Sequence, residues 1–274
     1  MTTKGDKILD VPLAKIGGKG LFTKELELEM LEGGIDLAVH SLKDMPAEVP
    51  NGLKISAITK RFDSGDAMVS LRYPSFAELP LGARVGTSSL RRRVQLLAVR
   101  PDLEICSLRG NVNTRLRKLE EENFDAVILA VAGLKRLGFE SRITEVLPRE
   151  IMLPAVGQGA LAIEARADDD EINALTAFLN DAETVDCMKA ERAFLAAVDG
   201  GCQVPVGVYA ETKGNELSVE AVIASLDGSR VFREKIKGSR NEAGTLGKAL
   251  ARTLLEQGAL AILQEMGLLL LGEK

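Results

Sequence analysis

The chain of 274 residues has no tryptophan, one histidine and three cysteines. With His40 alone, neither a Ser-His-Asp triad nor a multi-histidine metal site can be assembled. Acid–base work therefore falls to carboxylates and lysines. Cys106, Cys187 and Cys202 show no paired spacing, so neither a disulfide framework nor a zinc site is expected, and a reducing cytoplasm suits them. No apolar run reaches membrane-spanning length. No basic segment followed by an apolar stretch opens the chain, so secretion is not expected.

What is present is a soluble, globular composition, 46% hydrophobic and 27% charged. The length exceeds what one core usually serves, so two or three domains are expected. The net charge of −5 is unevenly spread: residues 84–118 hold nine Lys+Arg and two Asp+Glu, leaving the remainder strongly acidic. Such a chain is a poor nucleic-acid binder. A single basic segment suits capture of a small polyanion in a cleft.

The first half alternates strand-like and helix-like patterns. Phe22, Leu26 and Met30 recur every four residues, predicting a helix over 20–32. Strands are predicted over 35–39, 53–58, 84–86, 103–108, 125–130 and 160–164, with helices over 88–100 and 111–123. This grammar implies mainly parallel sheets with helices on both faces, and ligands at the carboxyl ends of the strands. From residue 184 the pattern changes to a helix (184–198), three strands (204–211, 216–225, 230–237) and helices over 242–266. A separate α+β domain with an antiparallel sheet is expected, with Asp227-Gly228 turning one hairpin.

Several short motifs carry chemistry. Gly86-Thr87-Ser88-Ser89 follows a strand and caps a helix, and free N–H groups there favour an anion. Arg91 and Arg92 fall in that helix's first turn, where the dipole disfavours cations unless an anion compensates. Arg109-Gly110-Asn111 and Arg115 repeat the theme, and arginine suits bidentate carboxylate or phosphate contacts. Gly17-Gly18-Lys19-Gly20, with Lys15, resembles a phosphate-cradling turn without the full nucleotide-loop spacing. Asp44, beside Lys43, ends the strand over 35–39, where a carboxylate can stabilise a cation and move protons. Each motif also has a plain reading as a cap, a turn or a solvated charge. Cys106 and Cys187 read as small core residues. Cys202, in Gly200-Gly201-Cys202-Gln203-Val204-Pro205, sits on an open glycine turn, where a thiol is accessible.

Taken in order, these segments closely resemble the porphobilinogen deaminase (hydroxymethylbilane synthase) family. The carrying motifs are Lys15-Ile16-Gly17-Gly18-Lys19-Gly20-Leu21-Phe22, Ala38-Val39-His40-Ser41-Leu42-Lys43-Asp44-Met45-Pro46, Gly86-Thr87-Ser88-Ser89-Leu90-Arg91-Arg92, Leu108-Arg109-Gly110-Asn111-Val112-Asn113-Thr114-Arg115, Leu153-Pro154-Ala155-Val156-Gly157-Gln158-Gly159 and the Cys202 loop. The resemblance implies an enzyme that condenses four porphobilinogen molecules head to tail, releasing ammonia, to give hydroxymethylbilane. It implies two lobes like those of periplasmic binding proteins plus a C-terminal α+β domain: residues 1–59 with 160–179, residues 60–159, and residues 180–274. It also implies a dipyrromethane cofactor in thioether linkage to Cys202, a catalytic Asp44, and a monomer acting in the cytoplasm. By the same resemblance Lys43, Thr87, Ser89, Arg91, Arg92, Arg109 and Arg115 hold the cofactor, Lys15, Lys19 and Arg136 bind substrate, and Gln158 belongs with the substrate-binding set at the interdomain hinge. The chemistry agrees: each porphobilinogen carries two carboxylates, and loss of ammonia leaves an electron-poor azafulvene that a carboxylate stabilises.

One departure accompanies the resemblance. The family opens with a strand, a helix and a second strand ahead of the segment corresponding to Thr3-Lys4-Gly5-Asp6, and this sequence has none of them. An unstable or weakly active chain is the resulting expectation. The competing reading is a noncatalytic two-lobed anion-binding module, which shares the cleft logic but gives no reason for the Cys202 loop.

Overall fold

Strand direction in this protein follows from where each strand stands relative to two chain segments that cross between lobes. The computed structural model describes residues 23–46, 48–198 and 204–268; Lys15, Lys19 and Cys202 lie outside them. Helix α1 (Lys24–Leu31) seats Met30 against Ala38 and Leu53. Strand β1 (Leu37–Ser41) buries Ala38 and His40 and turns Leu37 and Val39 outward, the alternation of a half-buried strand. After a short helical turn at Leu42–Asp44, β2 (Leu53–Ile58) runs to the first crossing, residues 59–65.

The second lobe begins at β3 (Asp66–Val69), buried at all four positions. Then come β4 (Arg84–Gly86), α2 (Leu90–Val99), β5 (Glu104–Cys106), α3 (Val112–Glu121), β6 (Ala126–Ala130), α4 (Val131–Arg136) and β7 (Glu145–Val146). Their sheet has the order β5-β4-β6-β3-β7. β4 runs parallel to β5 and β6, and β3 antiparallel to β6 and β7. The chain recrosses at 156–160 and enters β8 (Leu161–Arg166), which lies between β1 and β2 and antiparallel to both. The two antiparallel insertions have one cause. β3 and β8 each leave a crossing and run away from it, whereas β1, β2, β4 and β6 run toward it. The carboxyl ends of β1 and of the β4–β6 group therefore gather at the cleft. The alternating grammar anticipates the parallel members but not these returning strands.

Helix α5 (Asp170–Thr176) closes the first lobe. Helix α6 (Ala182–Ala197), capped by Asp181 through the Thr184 amide at 2.8 Å, opens the third unit and leads toward residues 199–203. Strands β9 (Val206–Lys213), β10 (Glu216–Ala224) and β11 (Val231–Ser239) form an antiparallel sheet in the order β11-β10-β9. Helix α7 (Ala243–Leu254) packs on α6 at Gly247, where an added Cβ would lie 2.1 Å from the Ala190 carbonyl oxygen. Within the helices expected over 242–266, Gly258 at φ 124° separates α7 from α8 (Leu260–Glu265). The core of this unit, with Met188, Phe194, Val208, Val219 and Leu250, continues into Leu42, Met45, Ile58 and Ala162. The turn bearing Lys43 and Asp44 thus rests on a core shared by the first lobe and the third unit.

Candidate functional site

Asp44 and Lys43 sit on the turn that ends β1, with Asp44 exposed and Lys43 half-buried. Burial lowers the Lys43 pKa from its ordinary range; Asp44 and Asp66 counter that fall, and Arg92 and Arg91 deepen it. The same side chain therefore senses charges from both lobes. His40, one turn earlier on the buried face, pairs through Nε2 with Glu164 Oε2 at 2.9 Å. That pair lies beneath the sheet and leaves no histidine for the cleft.

Across from this turn, Ser89 caps α2 through the Arg92 amide at 3.4 Å, and Thr87 Oγ1 accepts from the Ser89 amide at 3.2 Å. The compensating anion that Arg91 and Arg92 require is supplied by the chain itself. Asp66, 0% exposed, accepts from Arg91 Nη1 at 2.7 Å and Nη2 at 3.2 Å. It also accepts from Arg92 Nη2 at 2.6 Å and Nε at 2.9 Å. Both arginines are 5% exposed. Burial pushes the Asp66 carboxyl up, but the two guanidinium charges outweigh it and hold the pKa well below the usual carboxylate range. Asp66 escaped the sequence reading because Asp63-Ser64-Gly65-Asp66 looks like a polar turn; the one available signal is an acid heading the apolar run Ala67-Met68-Val69.

Arg115 follows on α3, capped by Asn111 through the Thr114 amide at 2.9 Å. Its Nε donates to the Gly110 carbonyl oxygen at 2.7 Å. Burial, then repulsion from Arg92 and Arg109, brings its pKa down to about 10, partly offset by Asp44, so it remains a cation at neutral pH. Arg109 is half-buried beside it. Arg91, Arg92, Arg109 and Arg115 thus form one cationic group across from the turn that carries Lys43 and Asp44. Arg136 is exposed and donates to the Gly159 carbonyl oxygen at 3.3 Å. Gln158 is buried, and its Nε2 donates to the Ser64 carbonyl oxygen at 2.7 Å, so it staples the two crossing segments together. Among the described thiols, Cys187 is buried and its pKa is pushed up to about 12 by burial. Cys106, expected in the core, is only half-buried, because β5 is the edge strand of its sheet. Burial and Glu104 raise its pKa too.

Four arginines across from Lys43 can bind a polycarboxylate, and the exposed Asp44 can stabilise positive charge developing beside it. Residues 1–174 match the family profile described as "Porphobilinogen deaminase, dipyromethane cofactor binding domain". Residues 185–256 match "Porphobilinogen deaminase, C-terminal domain". The chain is 54% identical over 264 residues to the porphobilinogen deaminase of Geobacter metallireducens, covering 96% of this chain and 83% of that protein. It is 53% identical over 266 residues to that of Campylobacter concisus, covering 96% and 86%. Among solved structures, the methionine-binding protein MetQ aligns with TM-score 0.39 at 16% identity, covering 56% of this chain and 71% of that one. A periplasmic substrate-binding protein of an ABC transporter from Coxiella burnetii gives TM-score 0.39 at 15% identity, covering 56% and 74%.

Proposed function

The chain belongs to the porphobilinogen deaminase family, and from that premise we infer its chemistry. It is a transferase of tetrapyrrole biosynthesis that condenses four porphobilinogen molecules head to tail, with release of ammonia, into hydroxymethylbilane. The carrying observation is the set of four arginines across from the turn that bears Lys43 and Asp44. Every pyrrole unit brings two carboxylates, so a growing chain needs several cations at once.

The residues present fit the family's dipyrromethane group. Lys43, Arg109 and Arg115 offer cationic donors, Thr87 and Ser89 organise the α2 N-terminus, and Arg91 Nε is buried without a partner. Dipyrromethane, when bound, supplies the pyrrole end to which the first substrate is joined. Asp44 is proposed as the catalytic group: its carboxylate faces the pyrrole nitrogens and offsets the positive charge that develops as ammonia departs. Lys43, Thr87, Ser89, Arg91, Arg92, Arg109 and Arg115 are proposed to hold cofactor carboxylates, and Lys15, Lys19 and Arg136 those of substrate. Gln158 is proposed to fix the crossing segments around that substrate. Cys202 is proposed as the thioether anchor. In its favour, burial raises the pKa of the Cys106 and Cys187 thiols, which lowers the share of nucleophilic thiolate in both.

We further propose three domains: residues 1–59 with 160–179, 60–159, and 180–274. Pairing of β8 with β1 and β2 supports the first. A monomer acting in the cytoplasm is proposed as well; the thiols of Cys106 and Cys187 are free, which suits that compartment.

Intact-mass measurement of the folded protein, with an assay of porphobilinogen consumption, tests the reading. A two-pyrrole adduct that disappears in Cys202→Ser, together with turnover, is expected. An unmodified thiol in a fully folded, inactive protein would instead favour a noncatalytic anion-binding module.

A further inference from the structure

Asp66 is the first residue after the crossing segment 59–65, and it heads the returning strand β3. Two carbonyl groups complete the frame around its arginines. Arg91 Nη1 also donates to the Leu153 carbonyl oxygen at 2.7 Å, and Arg92 Nη1 to the Ile128 carbonyl oxygen at 2.8 Å. A guanidinium has five N–H groups. The frame uses three from each arginine, and those left over include the buried Nε of Arg91, which has no partner.

We propose that Asp66 is a positioning residue for anion capture: it locks Arg91 and Arg92 into one rigid pair of forks and reduces their joint charge, so that the pair meets ligand carboxylates with fixed geometry and one net positive charge. This rests on the reading of the site as a polycarboxylate-binding cleft. Stability alone gives little reason for the arrangement, because apolar side chains of similar volume generally serve a buried site as well as an ion triad does. Its place also favours a functional role. The triad lies against the N-terminus of α2, where cations are disfavoured by the helix dipole, and Lys43 of the other lobe senses all three of its charges.

Fixed geometry matters because a misplacement of about 1 Å can cost on the order of 100-fold in rate. Two unbraced arginines would also lose side-chain freedom on meeting each carboxylate. Asp66 removes that loss in advance.

The test compares Asp66→Asn and Asp66→Glu with the wild type by three readouts. These are thermal midpoint, KM and kcat for porphobilinogen per cofactor-loaded molecule, and exchange protection of the Arg92 Nε–H resonance, identified by its loss in Arg92→Lys. The expected result is loss of protection in Asp66→Asn, with KM raised roughly 10-fold or more. Asp66→Glu, which keeps the charge but moves it by one methylene, restores protection in part and gives an intermediate KM while melting near the wild type. Unchanged KM in both variants, or a protected Arg92 Nε–H in Asp66→Asn, overturns the proposal. If Asp66→Asn does not fold, Asp66→Glu decides by the same readouts; if neither folds, Asp66 is purely structural and the proposal falls. A wild type that consumes no porphobilinogen sinks the enzyme reading separately, while the Arg92 resonance still decides the role of Asp66.

Discussion

Arg61 and Glu191 form a buried ion pair, Nη1 to Oε1 at 2.6 Å, that joins the first crossing segment to α6. Glu191 also accepts from the Gly157 amide at 2.8 Å and the Ala210 amide at 2.8 Å. Arg61 Nε donates to the Gln158 carbonyl oxygen at 2.9 Å, and its guanidinium lies 4.8 Å from the centre of the Tyr209 ring. Both crossings and the third unit therefore meet on one carboxylate. That carboxylate lies on α6, so lobe geometry and the third unit share a fixed point.

Breaking this pair from either side leaves a buried charge uncompensated. Arg61→Met and Glu191→Gln are each expected to lower unfolding free energy by about 3–5 kcal/mol. The double variant should cost clearly less than the two single costs added together, because the residues act as a unit. Urea denaturation of the four proteins checks this, and strictly additive losses would refute it.

The turn between β10 and β11 is pressed against α2, the helix that carries Arg91 and Arg92. Gly228 has φ 73°, and an added Cβ would lie 2.5 Å from the Ala98 amide nitrogen. Arg93 Nε donates to the Leu226 carbonyl oxygen at 3.2 Å at the same contact. Gly214 shares the left-handed backbone, φ 61°, but has nothing within 4 Å. Gly214→Ala is therefore expected to cost about 1 kcal/mol from backbone strain alone. Gly228→Ala should cost roughly 2–4 kcal/mol, since the clash is added. Equal losses in denaturation would show that the turn does not bear on α2.

These positions show where sequence reading succeeds and where it stops. Ser89 and Asn111 are recognisable as helix starts because capping is local, and each accepts its amide three residues on; the cap Asp181 escaped the sequence reading, and the helix expected from residue 184 begins at Ala182. The need for an anion near Arg91 and Arg92 is equally legible from the helix dipole. That the anion is Asp66, 25 residues earlier, depends on β3 running antiparallel to β6 beside α2, which no local pattern encodes. Glu191 is harder still. It lies mid-helix among Ala190 and Arg192, where a glutamate ordinarily reads as solvated, and its partners come from three separate segments.

Acid should weaken the fold through named carboxylates. The folded pKa of Asp66 is depressed by Arg91 and Arg92 against the opposing effect of burial, so its contribution is complete above the unfolded value of about 3.9 and is lost as pH falls below it. Asp102, held to about 2 by Arg100, and Asp227, held to about 2 by the Ser225 hydroxyl, act in the same direction. Unfolding free energy should therefore decline from about pH 4 toward pH 2, and the slope should be shallower in Asp66→Asn than in the wild type. An unchanged slope in that variant would remove Asp66 from the account.

Lys43 gives a prediction at the other end of the pH scale. Burial holds its pKa below the ordinary lysine range, so its ammonium loses its proton at a lower pH than a solvated lysine, near 10.4, would. Ligand carboxylates are held by the charged form, and kcat/KM reports ionisation of the free enzyme. In the wild type kcat/KM for porphobilinogen should thus fall as pH rises, beginning below the ordinary lysine range. An arginine starts from a higher ordinary pKa than a lysine, so Lys43→Arg should move that alkaline limb upward, toward the fall set by Arg115 at about 10, even if its different shape lowers the plateau. Lys43→Met should lower kcat/KM by roughly 10-fold at neutral pH, as expected for loss of one hydrogen bond to a charged group, and should keep only the fall set by Arg115. If the limb keeps its position in Lys43→Arg, another group sets it, and Lys43 is not the cation whose charge the substrate requires.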